Sequence, residues 1–98
     1  MHAMKNRLLA EKRSEIIRLA ERHGAKNLRI FGSMARQEDT AHSDIDFLVD
    51  VSEHRSPFFP GGLIADLEDL LGKKVDIVTE NGLHWYIKER ILNEAVPL

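Results

Sequence analysis

Two runs of residues decide the fold: Phe31-Gly32-Ser33-Met34-Ala35-Arg36 and, after a short polar connection, Ser43-Asp44-Ile45-Asp46-Phe47-Leu48-Val49. The second run alternates. Ile45, Phe47, Val49 and Val51 form one apolar face and Asp44, Asp46 and Leu48 the other, which is the two-residue period of a strand with one side against a core. Both carboxylates then share a face, only about 6 to 7 Å of chain apart, where like charges repel. A fold keeps such a pair ionised when a cation sits between them, and a hard divalent ion such as Mg²⁺ prefers oxygen ligands of this kind. The first run supplies a complementary feature. Gly32-Ser33 ends a short apolar segment and opens a helix-compatible one, so bare backbone and free N–H groups can meet a phosphate.

Working outward, Asn27 to Phe31 reads as a first strand, Met34 to Glu38 as a brief helix, and Asp44 to about Val51 as the second strand. Upstream, Leu9, Ile16, Ile17 and Ala20 recur at helical spacing between Leu8 and His23, and Gly24 is a natural stop. Downstream, Ser52 to Pro60 is a loop with two prolines and the pair Phe58 and Phe59, expected to be exposed. Leu63, Ile64, Leu67, Leu70 and Leu71 then mark a helix that ends at Gly72. Lys74 to Thr79 is a third strand, and Leu83, Ile87 and Ile91 mark a last helix before Ala95-Val96-Pro97-Leu98. Strand, helix and strand form a right-handed crossover, so the third strand runs parallel to the second and brings Asp76 beside Asp46. Ser33 ends strand one and Asp44 starts strand two. If both touch one ligand, those strands are antiparallel. The expected architecture is α/β (α+β): one domain over residues 1–98, with a mixed three-stranded sheet in the order 1-2-3. Four helices pack on one face, and the carboxylate face is left open.

Composition narrows the function. A 98-residue chain buries a modest core and has no room for a second, acceptor-binding module. Lys and Arg number 14 against 16 Asp and Glu, a net charge of -2, which gives no support to a surface built to grip nucleic acid. The absence of cysteine excludes disulfides and thiolate metal sites. With no apolar leader and no run of membrane-spanning length, a soluble cytoplasmic protein is expected.

Three carboxylates converging from two strands beside a glycine-serine phosphate site suit in-line displacement at phosphorus assisted by two metal ions. Asp44 and Asp46 would hold the metal on a nucleoside triphosphate, and all three aspartates a second metal at the attacking hydroxyl. Asp76 is best placed to take its proton. Ser33 and the Gly32 backbone would fix the departing phosphates. At Gly32-Ser33-Met34-Ala35-Arg36, Ser43-Asp44-Ile45-Asp46-Phe47 and Val75-Asp76-Ile77-Val78, the sequence resembles the minimal nucleotidyltransferases of the DNA polymerase β superfamily. These are small prokaryotic proteins that are often the antitoxin partner of a helical HEPN-domain toxin. The resemblance covers nearly the whole chain. It implies the mixed-sheet fold, Mg²⁺, a nucleoside triphosphate donor, and transfer of a nucleoside monophosphate with release of pyrophosphate. For toxin-linked members it further implies transfer of AMP from ATP to a tyrosine of the HEPN partner. The chain departs from the family pattern at Gln37, where glycine usually follows the arginine. Gln adopts a positive φ only at a cost, so the path from Gln37 to Ser43 is an open point.

Other residues carry blander readings. Arg36 contacts phosphate or pairs with Glu38 or Asp39 on the surface. Asp50 lies at the far end of its strand and reads as solvated. His23, His42, His54 and His84 show no ligand spacing and read as structural or exposed. Trp85 and Tyr86 read as packing or partner-facing. Two rival functions follow: a non-catalytic antitoxin that acts by occlusion, and nucleotidyl transfer to a small molecule such as an aminoglycoside.

Overall fold

In the computed structural model, which describes residues 6–38, 40, 43–54 and 56–98, helix α1 (Arg7–His23) starts where the Asn6 side chain accepts the Leu9 N–H at 3.1 Å. It stops at Gly24, whose left-handed φ of 89° turns its N–H back onto the carbonyls of Ala20 and Glu21. Strand β1 (Ala25–Phe31) follows at once, beginning two residues before the stretch expected from the sequence. Its register against strand β2 (Ile45–Val51) slips between Lys26 and Arg29. Asn27 accounts for the slip, since it takes a φ of 52° and donates its side-chain amide to Asp50 at 3.0 Å.

The two strands are antiparallel with Phe31 opposite Asp46. Helix α2 (Gly61–Leu71) crosses over to strand β3 (Val75–Thr79), which runs parallel to β2 with Asp76 opposite Asp46. The core lies on the other side of this sheet. Ile30, Ile45, Phe47, Val49, Val75 and Ile77 pack there against Leu9, Ile16 and Ala20 of α1 and Leu63, Leu67 and Leu71 of α2. The apolar spacing read from the sequence therefore does bury these helical stripes. Helix α3 (Trp85–Glu94) follows a 3₁₀ turn at Glu80–Gly82 and has no fully buried residue.

The fold departs from expectation in five places. The chain end is a fourth strand, β4 (Val96–Pro97), so the sheet has the order β3-β2-β1-β4 rather than three strands. Proline is tolerated there because β4 is an edge, and the Leu98 N–H still reaches the Leu28 carbonyl at 3.1 Å. Residues 34–38 make turns instead of a helix, so the described residues hold three α-helices and not four. Leu48, expected on the open face, is completely buried. Arg29 lies opposite it in register, and its guanidinium is held by Asp50 at 3.0 Å and Glu80 at 2.8 Å. Asp50 is thus ion-paired and not merely solvated. Finally, Phe59 packs against the core, leaving Phe58 alone exposed, at 80%. The readings made of Asp39 and His42 lie outside the described residues. Among the described residues, no helix is long and apolar enough to cross a membrane.

Candidate functional site

The end of β1 and the starts of β2 and β3 bring the predicted residues together at one end of the sheet. Phe31 hands the chain to Gly32 directly beside Asp46, and Asp46 neighbours Asp76 across the parallel pair. Asp44, just before β2, is exposed, Asp76 is exposed, and Asp46 is half-buried. Gly32 has a φ of 76°, and a Cβ built on it would overlap Asp46 Oδ2 and crowd its Cγ at 3.2 Å. The glycine is therefore required twice, for the left-handed turn and for the carboxylate packed against it. Beyond it, Gln37 takes a φ of 60°, so it keeps the left-handed conformation that the resemblance associates with glycine.

The charges at this end of the sheet are unbalanced. None of Asp44, Asp46 or Asp76 accepts a hydrogen bond or forms an ion pair among the described residues. Asp46 consequently sits above the ordinary carboxylate range: burial contributes most, then the charges of Asp76 and Asp44, then Glu94, with Arg36 partly offsetting them. An all-oxygen donor set with surplus negative charge fits a hard divalent cation. The three aspartates nevertheless do not form a closed cage, for no group of three acidic or histidine side chains is gathered as a metal site among the described residues.

Donors for an anion lie beside the acidic group. The Gly32 N–H points to Glu94 Oε2 at 2.8 Å, and Arg36 donates through Nη1 to Glu94 Oε1 at 2.6 Å and through Nε to Glu38 Oε1 at 2.8 Å. These bonds raise the Arg36 pKa further, Glu94 contributing most. Burial pushes Glu94 upward, but the Gly32 N–H and Arg36 outweigh it and hold the carboxyl below its usual range. Ser33 Oγ has no hydrogen-bond partner among the described residues. Sequence reasoning missed Glu94. It lies 62 positions from Gly32 in a helix whose apolar spacing drew the attention, and no local pattern marks it. His23, by contrast, is structural as expected: its Nε2 pairs with Asp66 at 2.7 Å, joining α1 to α2.

Comparison with known proteins places this site in context. The Nucleotidyltransferase domain family profile matches residues 13–98. Protein MJ0435 of Methanocaldococcus jannaschii, provisionally named a protein adenylyltransferase, is 46% identical over 88 residues, covering 90% of this chain and 95% of the relative. A solved structure described as a provisionally assigned minimal nucleotidyltransferase is 42% identical with a TM-score of 0.82, covering 98% of this chain and 100% of the other. A toxin–antitoxin structure with AMP-PNP shares the fold at a TM-score of 0.72 and 20% identity, covering 86% of this chain and 69% of the other.

Proposed function

We propose, from the premise that this chain belongs to the nucleotidyltransferase domain family, that it moves AMP from ATP to a hydroxyl of a partner protein as the antitoxin of a toxin–antitoxin pair. One observation carries the reading: donors already occupied by an anionic side chain, the Gly32 N–H and Arg36, adjoin three carboxylates that lack any partner among the described residues. Phosphate fits the first group and a cation the second. A nucleoside triphosphate with its divalent ions carries both.

In this reading the Gly32 N–H, Ser33 Oγ and Arg36 hold the β and γ phosphates, so that the α-phosphorus faces Asp46 and Asp76. The acceptor oxygen forms a bond to that phosphorus while the bond to the β-phosphate oxygen breaks, and pyrophosphate departs. Asp76, exposed at the sheet edge, receives the hydroxyl proton. Mg²⁺ ions held by Asp44, Asp46 and Asp76 would supply charge neutralisation at phosphorus and a lowered hydroxyl pKa. Orientation of the acceptor is a separate contribution, worth about 7 kcal/mol or more in good cases, and a partner protein supplies it by closing the open side of the site.

Protein transfer is supported by the name of the M. jannaschii relative, and a toxin partner by the shared fold of the toxin–antitoxin structure. The resemblance read from the sequence extends this to a HEPN toxin modified on tyrosine. Phe58, Trp85 and Tyr86, exposed at 80%, 80% and 66%, are the apolar side chains offered to such a partner. The test is to incubate the chain with Mg²⁺, each triphosphate in turn and the co-purifying partner, then weigh the partner. A gain of one AMP, lost in Asp46→Asn and Asp76→Asn, is expected. A partner that binds firmly yet never gains mass overturns the enzymatic reading.

A further inference from the structure

Glu94 is the last residue of α3, and both its oxygens are engaged, one by the Gly32 N–H at 2.8 Å and one by Arg36 Nη1 at 2.6 Å. Its side chain is four-fifths covered. Two oxygens of one anion, taken by a backbone N–H and a guanidinium, make the contact that two oxygens of a phosphate would make. Glu94 also lies close enough to add its repulsion to the charge on Asp46. The contact is thus favoured by two donors and opposed by its acidic neighbours. The helix that carries it has no fully buried residue between Trp85 and Glu94, and the chain is next held at β4, where Val96 pairs with Ile30.

We propose that Glu94 is a displaceable internal ligand of the phosphate site, holding Gly32 and Arg36 until a phosphate takes them and thereby loosening the last turn of α3 ahead of β4. This rests on the reading of Gly32 and Arg36 as phosphate donors given above. Entering phosphate and seated Glu94 exclude each other, because the Gly32 N–H has one hydrogen and points to one acceptor. Apparent affinity is then reduced by the fraction of molecules in which the carboxylate is seated. The same helix opens with Trp85 and Tyr86, both exposed.

The probe is inorganic tripolyphosphate with Mg²⁺, titrated by calorimetry into the full chain and into Glu94→Ala, Glu94→Gln and Arg36→Ala, with amide hydrogen exchange followed in α3. Glu94→Ala is expected to bind about tenfold more tightly, as it would if about a tenth of the wild-type molecules were open. Glu94→Gln, equal in size but uncharged, should gain less, and it carries the test if the alanine variant fails to fold. In the wild type, exchange near residue 94 should quicken when the probe binds. Equal or weaker binding by both Glu94 variants, or slower exchange on binding, makes Glu94 a fixed support and overturns the latch while the phosphate site stands. If no protein binds the probe, the latch and the phosphate assignment fall together.

Discussion

Gly32→Ala is the substitution whose cost can be worked most directly from the structure. The left-handed φ of 76° penalises any Cβ by about 1 to 2 kcal/mol. The new methyl also overlaps Asp46 Oδ2, and turning that side chain off its rotamer adds about 0.5 to 1.5 kcal/mol. Alanine returns about 0.4 to 1 kcal/mol by restricting the unfolded chain. The net expectation is near 2 kcal/mol of lost stability, a fall in Tm of about 10 °C for a domain of this size. Chemical denaturation of Gly32→Ala in two backgrounds separates these contributions. With Asp46→Ala the nearest remaining side-chain atom is the residue 46 Cβ at 3.5 Å, an ordinary contact, so the steric share vanishes and the glycine substitution becomes cheaper by about 0.5 to 1.5 kcal/mol. An identical cost in both backgrounds would refute the packing of Asp46 against Gly32.

Asp46→Asn should abolish transfer yet raise Tm in buffer free of divalent cations. A carboxyl whose folded pKa is raised gives stability that is complete below its unfolded value and lost as pH climbs through the folded one. The variant's advantage should therefore be seen at neutral pH and disappear below about pH 4, so melts across that range decide it. Leu48→Ala, at a fully buried position on the acidic face, should cost about 2 to 5 kcal/mol by denaturant titration, whereas exposed Phe58→Ala stays within about 0.5 kcal/mol. Gln37→Gly, relieving a φ of 60°, should hold stability or raise it by up to about 1 kcal/mol, and a drop of that size would show that the Gln side chain has a role of its own.

Much of this was legible because period and chemistry coincide. The alternation through Ile45, Phe47 and Val49 sets the face of β2, and Leu63, Leu67 and Leu71 set the buried stripe of α2, so the parallel crossover and the Asp46–Asp76 neighbourhood follow from local pattern. What stayed hidden depends on contacts distant in sequence. Val96–Pro97 is too short for a period to show, and becomes a strand only because β1 has a free edge. Leu48 breaks the alternation of polar residues on its face, a signal that it is covered, but the residue opposite it, Arg29, lies in another strand. Residues 34–38 have helix-compatible composition, yet Gln37 in the left-handed region ends any helix there. Glu94 reaches Gly32 only through the fold.

In the proposed reaction the α-phosphorus of the nucleotide moves and pyrophosphate leaves. This is tested by supplying the chain, Mg²⁺ and the partner protein with ATP labelled at either the α- or the γ-phosphorus, and counting label on the partner. Label retained from the α position alone is the expected result. Label arriving from the γ position would mean phosphoryl transfer, and would contradict the assignment of Gly32, Ser33 and Arg36 to the departing phosphates.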